Sequence, residues 1–344
     1  MKDLKILITA AGSPGSATNI RYLKSIEERK LILIGTDLNH DKIGKHWCDK
    51  FYTVPKGEDE NFIPRLLEII KKEKPDVLLP QSSSEVIPLS KNKDVLEDAG
   101  VKVLISSEES VYKSENKAEL YKFLEGGPVK IPKFRLVNTL ADFLDAVKVL
   151  GYPNTPVCFK PPISKGTRGF RILRDDVSRK HALLNERPIN RFISINEFKE
   201  IFENDADFPE LLVMQFVEGE EHTTDPLTRN GKTLLCPVKT RENERAGLAM
   251  KFVQTENQHL LESTEYIVEK LNLDWILNVQ FIGEYLIELN PRISTQIFTP
   301  GVNIPYLAIK LILNEITEED VRNYSEKVKI DCTSLRYFDQ IYFS

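Results

Sequence analysis

The chain has 344 residues, room for about two domains. Hydrophobic residues make up 41% and charged residues 29%, the balance of a globular protein with a real core. A net charge of −5 argues against a nucleic-acid partner, and no run approaches the roughly 20 apolar residues of a membrane span.

In chain order, Leu4 to Thr9 reads as a short apolar strand. Gly12-Ser13-Pro14-Gly15 breaks the apolar run too early for a signal peptide. Ala17 to Arg29 has helical character, and Leu31 to Gly35 is a second strand ending at Asp37. Phe62 to Lys72 is spaced as a helix, Val77 to Leu79 as a buried strand, Val86 to Ala99 as a helix and Val101 to Ile105 as a strand. Repeated β-α-β with short apolar strands predicts a parallel, doubly wound α/β sheet over residues 1–110. Ser114 to Leu124 reads as a helix with Ser114 as its N-cap, and Pro128 and Pro132 mark a linker. Beyond it the order becomes α+β. Asp142 to Leu150, Ile195 to Glu203 and Gln258 to Leu271 are helical. Val157 to Lys160, Phe170 to Leu173 and Leu211 to Val217 are strands. Glu221 to Thr228 and Thr233 to Lys239 pair across Asn230-Gly231, a hairpin signal. Ile276 to Phe281 and Tyr285 to Leu289 form another hairpin around Gly283. Cys48, Cys158, Cys236 and Cys332 lie far apart with no CxxC pair, which points away from structural zinc and disulfides and toward a cytoplasmic location.

The last hairpin carries the most chemistry. Val279, Phe281, Ile287 and Leu289 are its apolar set; Asn278, Gln280, Glu288 and Asn290 are its polar set. An odd-numbered loop would put both polar sets on one face, and an even one would separate Gln280 from Glu288. Pro291 ends the strand and Arg292 projects beyond it. One carboxylate with carboxamide oxygens suits Mg²⁺, which completes its shell with phosphate and water, and a guanidinium beside them suits a phosphate in transfer. A solvated polar face is the plainer reading of such a pattern. The run Glu288-Leu-Asn-Pro-Arg292, preceded by Asn278-Val-Gln-Phe281, decides against it. These strings resemble the metal- and phosphate-binding signature of the ATP-grasp superfamily, in particular one module of the carbamoyl phosphate synthetase large chain.

The resemblance runs to about Glu315. It implies an N-terminal Rossmann-like domain (1–110), then a two-lobed ATP-grasp domain with antiparallel sheets (111–318; lobes about 133–215 and 216–318). Residues 319–344 would be a C-terminal extension. It implies Lys117 and Lys160 on the ATP phosphates. It also implies a closing loop with Ser164, Lys165, Gly166, Thr167, Arg168 and Gly169. Gln215, Phe216 and Val217 match the adenine hinge, and Glu221 the acid that takes the ribose hydroxyls. Gln280, Glu288 and Asn290 match the metal ligands; Arg292, Lys160 and Arg245 take catalytic roles. Three departures stand out: Gln215 and Gln280 where relatives carry acids, and Ser294-Thr-Gln296 where many have small glycines. Asp225 matches a residue of unassigned role. Arg241, Arg245 and Lys251 flank a glycine on a segment suited to an acidic substrate or an acyl phosphate, or merely solvated.

Thr9-Ala-Ala-Gly-Ser-Pro-Gly15 with Asp37 is close to a dinucleotide fingerprint, so a nicotinamide enzyme is a rival reading. A tight turn in any βαβ unit explains it equally. The expectation is therefore an ATP- and Mg²⁺-dependent (Mn²⁺ substituting) ligase that joins a small-molecule carboxylate to an amine or ammonia through an acyl phosphate. No nucleic acid or membrane is expected as a partner, and a homodimer is compatible. The alternatives are phosphorylation of bicarbonate or carbamate, and a non-catalytic ATP-binding protein.

Overall fold

The computed structural model describes residues 1–164, 168–185, 191–203, 205, 207–243 and 248–343. The N-terminal sheet contains β1 (Leu4–Ile8), β2 (Leu31–Asp37), β3 (Lys50–Thr53), β4 (Val77–Leu79) and β5 (Lys102–Val103) in the order β3-β2-β1-β4-β5, all parallel. Strands buried on both faces need an almost continuous apolar run, and Leu4, Ile6, Leu7 and Ile8 supply it. The strand β3 and the short helix Ile43–Trp47 before it escaped the sequence reading, because β3 is half exposed and carries little apolar signal.

After β1 the chain turns through Ala10, which holds a positive φ of 48°. The Ala11 amide then bonds the Thr36 carbonyl and the Gly12 amide bonds Asp37 Oδ2, both at 2.8 Å. The following helix, α1 (Ser16–Lys24), stops short of the expected Arg29. Arg29 instead makes a two-pronged pair, at 2.8 and 2.6 Å, with the more exposed Glu315. The single helix expected over 86–99 is two, Ser83–Lys91 and Lys93–Asp98. They break at Asn92, whose side chain bonds the Pro88 carbonyl at 2.9 Å. Ser114 is no N-cap. It lies inside the helix Glu108–Glu115 and bonds back to the Ser110 carbonyl at 2.7 Å. Asn116 caps the next helix, Lys117–Leu124, accepting from the Ala118 and Glu119 amides at 3.1 and 3.2 Å.

Two compact units emerge. One gathers Met1–Glu115, Glu221–Phe281 and Glu288–Ser344; the other gathers Asn116–Glu220 and Ile282–Ile287. The division into domains 1–110 and 111–318 with a C-terminal extension stays a proposal. The second unit carries β6 (Phe134–Val137), β7 (Val157–Lys160), β8 (Arg171–Leu173), β9 (Phe192–Ile193) and β10 (Leu211–Gln215) in the order β6-β10-β7-β8-β9, antiparallel except for β8 with β9. Phe143 stacks on Phe198 at 3.8 Å and meets Phe159 edge-on, so aromatic faces fill this core.

The remaining strands are β11 (Glu221–Thr224), β12 (Leu227–Arg229), β13 (Lys232–Leu235), β14 (Val238–Arg241), β15 (Lys251–Thr255), β16 (Trp275–Ile276), β17 (Asn278–Ile282), β18 (Tyr285–Asn290) and β19 (Thr333–Leu335). They build a six-stranded sheet, β18-β17-β11-β14-β15-β19, and a small one, β13-β12-β16. The hairpin expected across Asn230-Gly231 exists only at its tip, where both residues hold positive φ. Its outer arms join the other sheet, β11 pairing with β14. A register shift between Leu227 and Thr228 marks the change. One apolar cluster joins β1 and β2 to Trp275, Leu234 and the helix Ile304–Ile312, so the parallel sheet and the C-terminal half share a core. Among the described residues no helix is long and apolar enough to cross a membrane.

Candidate active site

In the first unit the polar residues of β17 and β18 gather as expected, by an unexpected route. The turn is Gly283-Glu284, an even loop, which by strict alternation would separate the two polar sets. Yet Asn290 Nδ2 lies 3.5 Å from Asn278 Oδ1. Alternation along β18 breaks at the middle: Ile287 and Glu288 are both half-buried, then Leu289 and Asn290 both buried. The burial of β18 therefore does not follow the simple two-residue alternation.

From Asn278 a buried chain of bonds runs both ways. Its amide donates to Asp225 Oδ1 at 3.0 Å and to Thr223 Oγ1. Its oxygen accepts from Gln280 Nε2 at 2.9 Å. Asp225, fully buried, pairs with Lys239 Nζ at 2.9 Å, and Lys239 also donates to the Gln296 carbonyl at 2.7 Å. On the other side Arg292 Nη2 donates to Asn290 Oδ1 at 3.1 Å, and Arg292 Nε to Ser83 Oγ at 2.9 Å. Ser83 comes from the first turn of the helix Ser83–Lys91, so the parallel sheet's own helix helps to aim the guanidinium. Burial lowers the Arg292 pKa; the charges of Glu115, Glu288 and Asp225 oppose that and favour the cation. Among the described residues no three His, Cys, Asp or Glu side chains converge as a metal site. A magnesium ion held here would rest on Glu288 and the carboxamide oxygens of Gln280 and Asn290, and would depend on phosphate for further ligands.

Glu221 pairs in register with Arg241, and Arg241 Nε lies 3.5 Å from Glu221 Oε2. Lys251 is neutralised by Glu242 at 2.8 Å. Of the predicted set, Gly166, Thr167 and Arg245, with the loop residue Lys165, lie outside the described residues.

In the second unit two lysines are buried, Lys117 at 4% and Lys160 at 7% exposure. Lys117 opens its helix next to the capping Asn116. Its amide donates to the Pro162 carbonyl at 3.1 Å and its ammonium to the Ser164 carbonyl at 3.3 Å. Among the described residues Ser164 Oγ is buried without a hydrogen-bond partner. A buried donor left unsatisfied beside the Lys117 ammonium fits an anion such as a phosphate chain. Gly169 holds φ at +75°, and a Cβ there would lie 2.6 Å from Pro161 Cδ, so only glycine fits against the residue that follows Lys160. At the hinge, the Gln215 and Phe216 amides are spent on the Lys133 and Pro156 carbonyls, both at 2.9 Å.

Sequence reasoning missed Lys239, Ser83 and the role of Asp225. The signal for Lys239 was present: a lysine between Val238 and Thr240 in a short buried strand.

Two family models match the chain. Residues 6–104 match the PylC-like N-terminal domain, and residues 207–334 match the ATP-grasp family described as in the biosynthetic pathway with the Ter operon. The chain belongs to the ATP-grasp superfamily. The carbamoyl phosphate synthase large chain of Clostridium perfringens is 26% identical over 286 residues, 78% of this chain but 24% of the relative. The chain thus spans about a quarter of the length of such curated relatives. Among solved structures, the biotin carboxylase domain of Hydrogenobacter thermophilus 2-oxoglutarate carboxylase, in complex with MgADP and bicarbonate, superposes with a TM-score of 0.65 at 16% identity. It covers 97% of this chain and 74% of that one. The L-amino acid ligase of Bacillus licheniformis has a TM-score of 0.65 at 14% identity, covering 94% of this chain and 78% of that one. This ATP-grasp chain therefore shares the parallel and antiparallel sheet arrangement of those proteins.

Proposed function

We propose that this ATP-grasp protein is an ATP- and Mg²⁺-dependent ligase that joins a small carboxylic acid to an amine or ammonia. The observation that carries the reading is the pinned guanidinium of Arg292, held by Ser83 and Asn290 beside Glu288. A rigid cation next to oxygen donors suits charge that develops on a phosphoryl group in transfer.

In the proposed reaction a carboxylate oxygen attacks the γ-phosphorus of ATP and ADP departs, leaving an acyl phosphate. The amine nitrogen then attacks the acyl carbon, the C–O bond breaks, and inorganic phosphate carries away the electron pair. Lys117, Lys160 and Ser164 hold the nucleotide phosphates; Gly166, Thr167 and Gly169 belong to the covering loop. Gln215, Phe216 and Val217 take the adenine and Glu221 the ribose. Gln280, Glu288 and Asn290 would hold Mg²⁺, which when bound screens the phosphate charges. Arg292 neutralises the group in flight, with Arg245 as a second cation. No nucleophilic side chain is needed, because positioning and electrostatics carry such a reaction.

The relatives among carbamoyl phosphate synthase large chains favour one second reading, phosphorylation of bicarbonate. A dinucleotide reading loses support from the N-terminal turn. Lys42 occupies the space over Gly12, Thr295 that over Gly15, and Asp37 is committed to the turn itself.

The test is ADP release with Mg²⁺ over a panel of acids and amines, bicarbonate with ammonia included, beside Glu288→Ala. Turnover that needs an acid and an amine, and falls at least a hundredfold in the variant, is expected. Unchanged turnover in Glu288→Ala refutes the site, and ATP binding without ADP release under every acceptor refutes the ligase.

A further inference from the structure

The C-terminal strand does more than lengthen a sheet. β19 pairs antiparallel with the outer edge of β15, Phe252 opposite Ser334, and β15 pairs with β14, Lys239 opposite Gln254. Continuing both registers sets Arg241, Phe252 and Ser334 in one row. Alternation then gives Lys239, Arg241 and Arg336 the same face of the sheet. Two bonds confirm it. Lys239 donates to the Gln296 carbonyl and Arg336 Nη2 to the Thr295 carbonyl at 2.8 Å, so both reach the one segment that follows Arg292.

A polar donor is left over on this face. Among the described residues Arg336 Nη1 is buried without a hydrogen-bond partner, while Arg241, its side chain only 9% exposed, has its Nε 3.5 Å from Glu221 Oε2. Glu221 offsets Arg241, but among the described residues no ion pair reaches Arg336. Burial, then the charge of Arg241, hold the Arg336 guanidinium below the usual arginine range, as two crowded cations require. Buried guanidinium donors without an acceptor are costly unless a ligand supplies one.

We propose that Arg241 and Arg336 form an anion-binding corner of the acceptor site that takes a second acidic group of the substrate. This rests on the ligase reading and narrows the acid to one with two anionic groups. Thr295 stands three residues from Arg292, at most about 10 Å along the chain, a span suited to a small dicarboxylic acid with one carboxylate at the reacting centre. Gly15 of the N-terminal turn packs directly on Thr295, its missing Cβ leaving 2.5 Å to Thr295 Cα, so the turn buttresses the same segment.

The experiment is calorimetric titration of the full chain, saturated with MgADP, with succinate, L-glutamate and O-phospho-L-serine against acetate and L-alanine. At least one doubly anionic probe is expected to bind tenfold or more tighter than its monoacid control. A phosphate-bearing winner assigns the corner to phosphate, and a dicarboxylate winner assigns it to carboxylate. Arg336→Met is expected to erase that preference at least tenfold while MgADP affinity stays within twofold, and Arg336→Lys to recover part of it. If Arg336→Met does not fold, Arg336→Gln carries the test with the same expectation. Normal MgADP binding with no preference for a second anionic group, or a preference that survives the substitution, overturns this proposal alone. Failure to bind MgADP overturns the ligase reading and this proposal with it.

Discussion

Asp225→Asn probes the centre of the site. The carboxylate is fully buried and accepts from the Lys239 ammonium at 2.9 Å and the Asn278 carboxamide at 3.0 Å. Its neutral isostere leaves the Lys239 ammonium, 2% exposed, facing an amide and the Gln296 carbonyl with no opposite charge beside it. Breaking such a pair from one side costs about 3–5 kcal/mol, because an uncompensated charge stays buried. For a folding unit of roughly 150–250 residues that is a fall of about 6–20 °C in Tm, at about 2–4 °C per kcal/mol. The double variant Asp225→Asn/Lys239→Met removes the stranded charge and is expected to be more stable than Asp225→Asn alone, although it lacks the pair. Urea denaturation followed by circular dichroism measures both. The reasoning fails if Asp225→Asn costs less than about 1 kcal/mol, or if the double variant loses the full sum of the single ones.

Three further outcomes follow from the same geometry. Lys160→Met is expected to weaken MgATP binding by about ten- to a hundredfold, roughly 1.4–2.8 kcal/mol, with the fold retained; calorimetry showing native affinity would remove Lys160 from the phosphate site. Gly15→Ala places a methyl group 2.5 Å from Thr295 Cα, a backbone contact that cannot rotate away, so a loss of about 1–3 kcal/mol in urea denaturation is expected, and no loss would mean the segment yields freely. Burial raises the Cys158 thiol to about 12, with Lys160 pulling it down. At pH 8 the reactive thiolate is then roughly one part in ten thousand. Iodoacetamide should label Cys158 at least about a hundredfold more slowly in the native protein than in urea, and slower still in Lys160→Met; equal native and unfolded rates would contradict the burial.

Much of the fold was readable because its cues are local. An apolar run of five residues, an Asn-Gly turn or a Glu-x-Asn-Pro-Arg string contains its own evidence within a few positions. Asn116 was misjudged in favour of Ser114 for a related reason: both are good caps, and only the bend between two helices shows which oxygen meets free amides. The hairpin across Asn230-Gly231 was over-extended because alternation continues smoothly through the point where the chain leaves one sheet for another. Parity of the Gly283 loop alone did not decide the outcome: the loop is even, yet Asn290 still reaches Asn278, and the burial of β18 departs from simple alternation.

By itself the amino-acid order determined most of the strands and helices, the family and the strings that bring Glu288, Asn290 and Arg292 to one strand end. Local spacing and side-chain chemistry suffice for that. Only tertiary structure decided that Lys239 neutralises Asp225, that Ser83 aims Arg292 across 209 positions, and that the last strand brings Arg336 beside Arg241. Those partners are chosen by which buried charge or donor lacks a match once the sheets have paired, a condition that exists only in the folded chain.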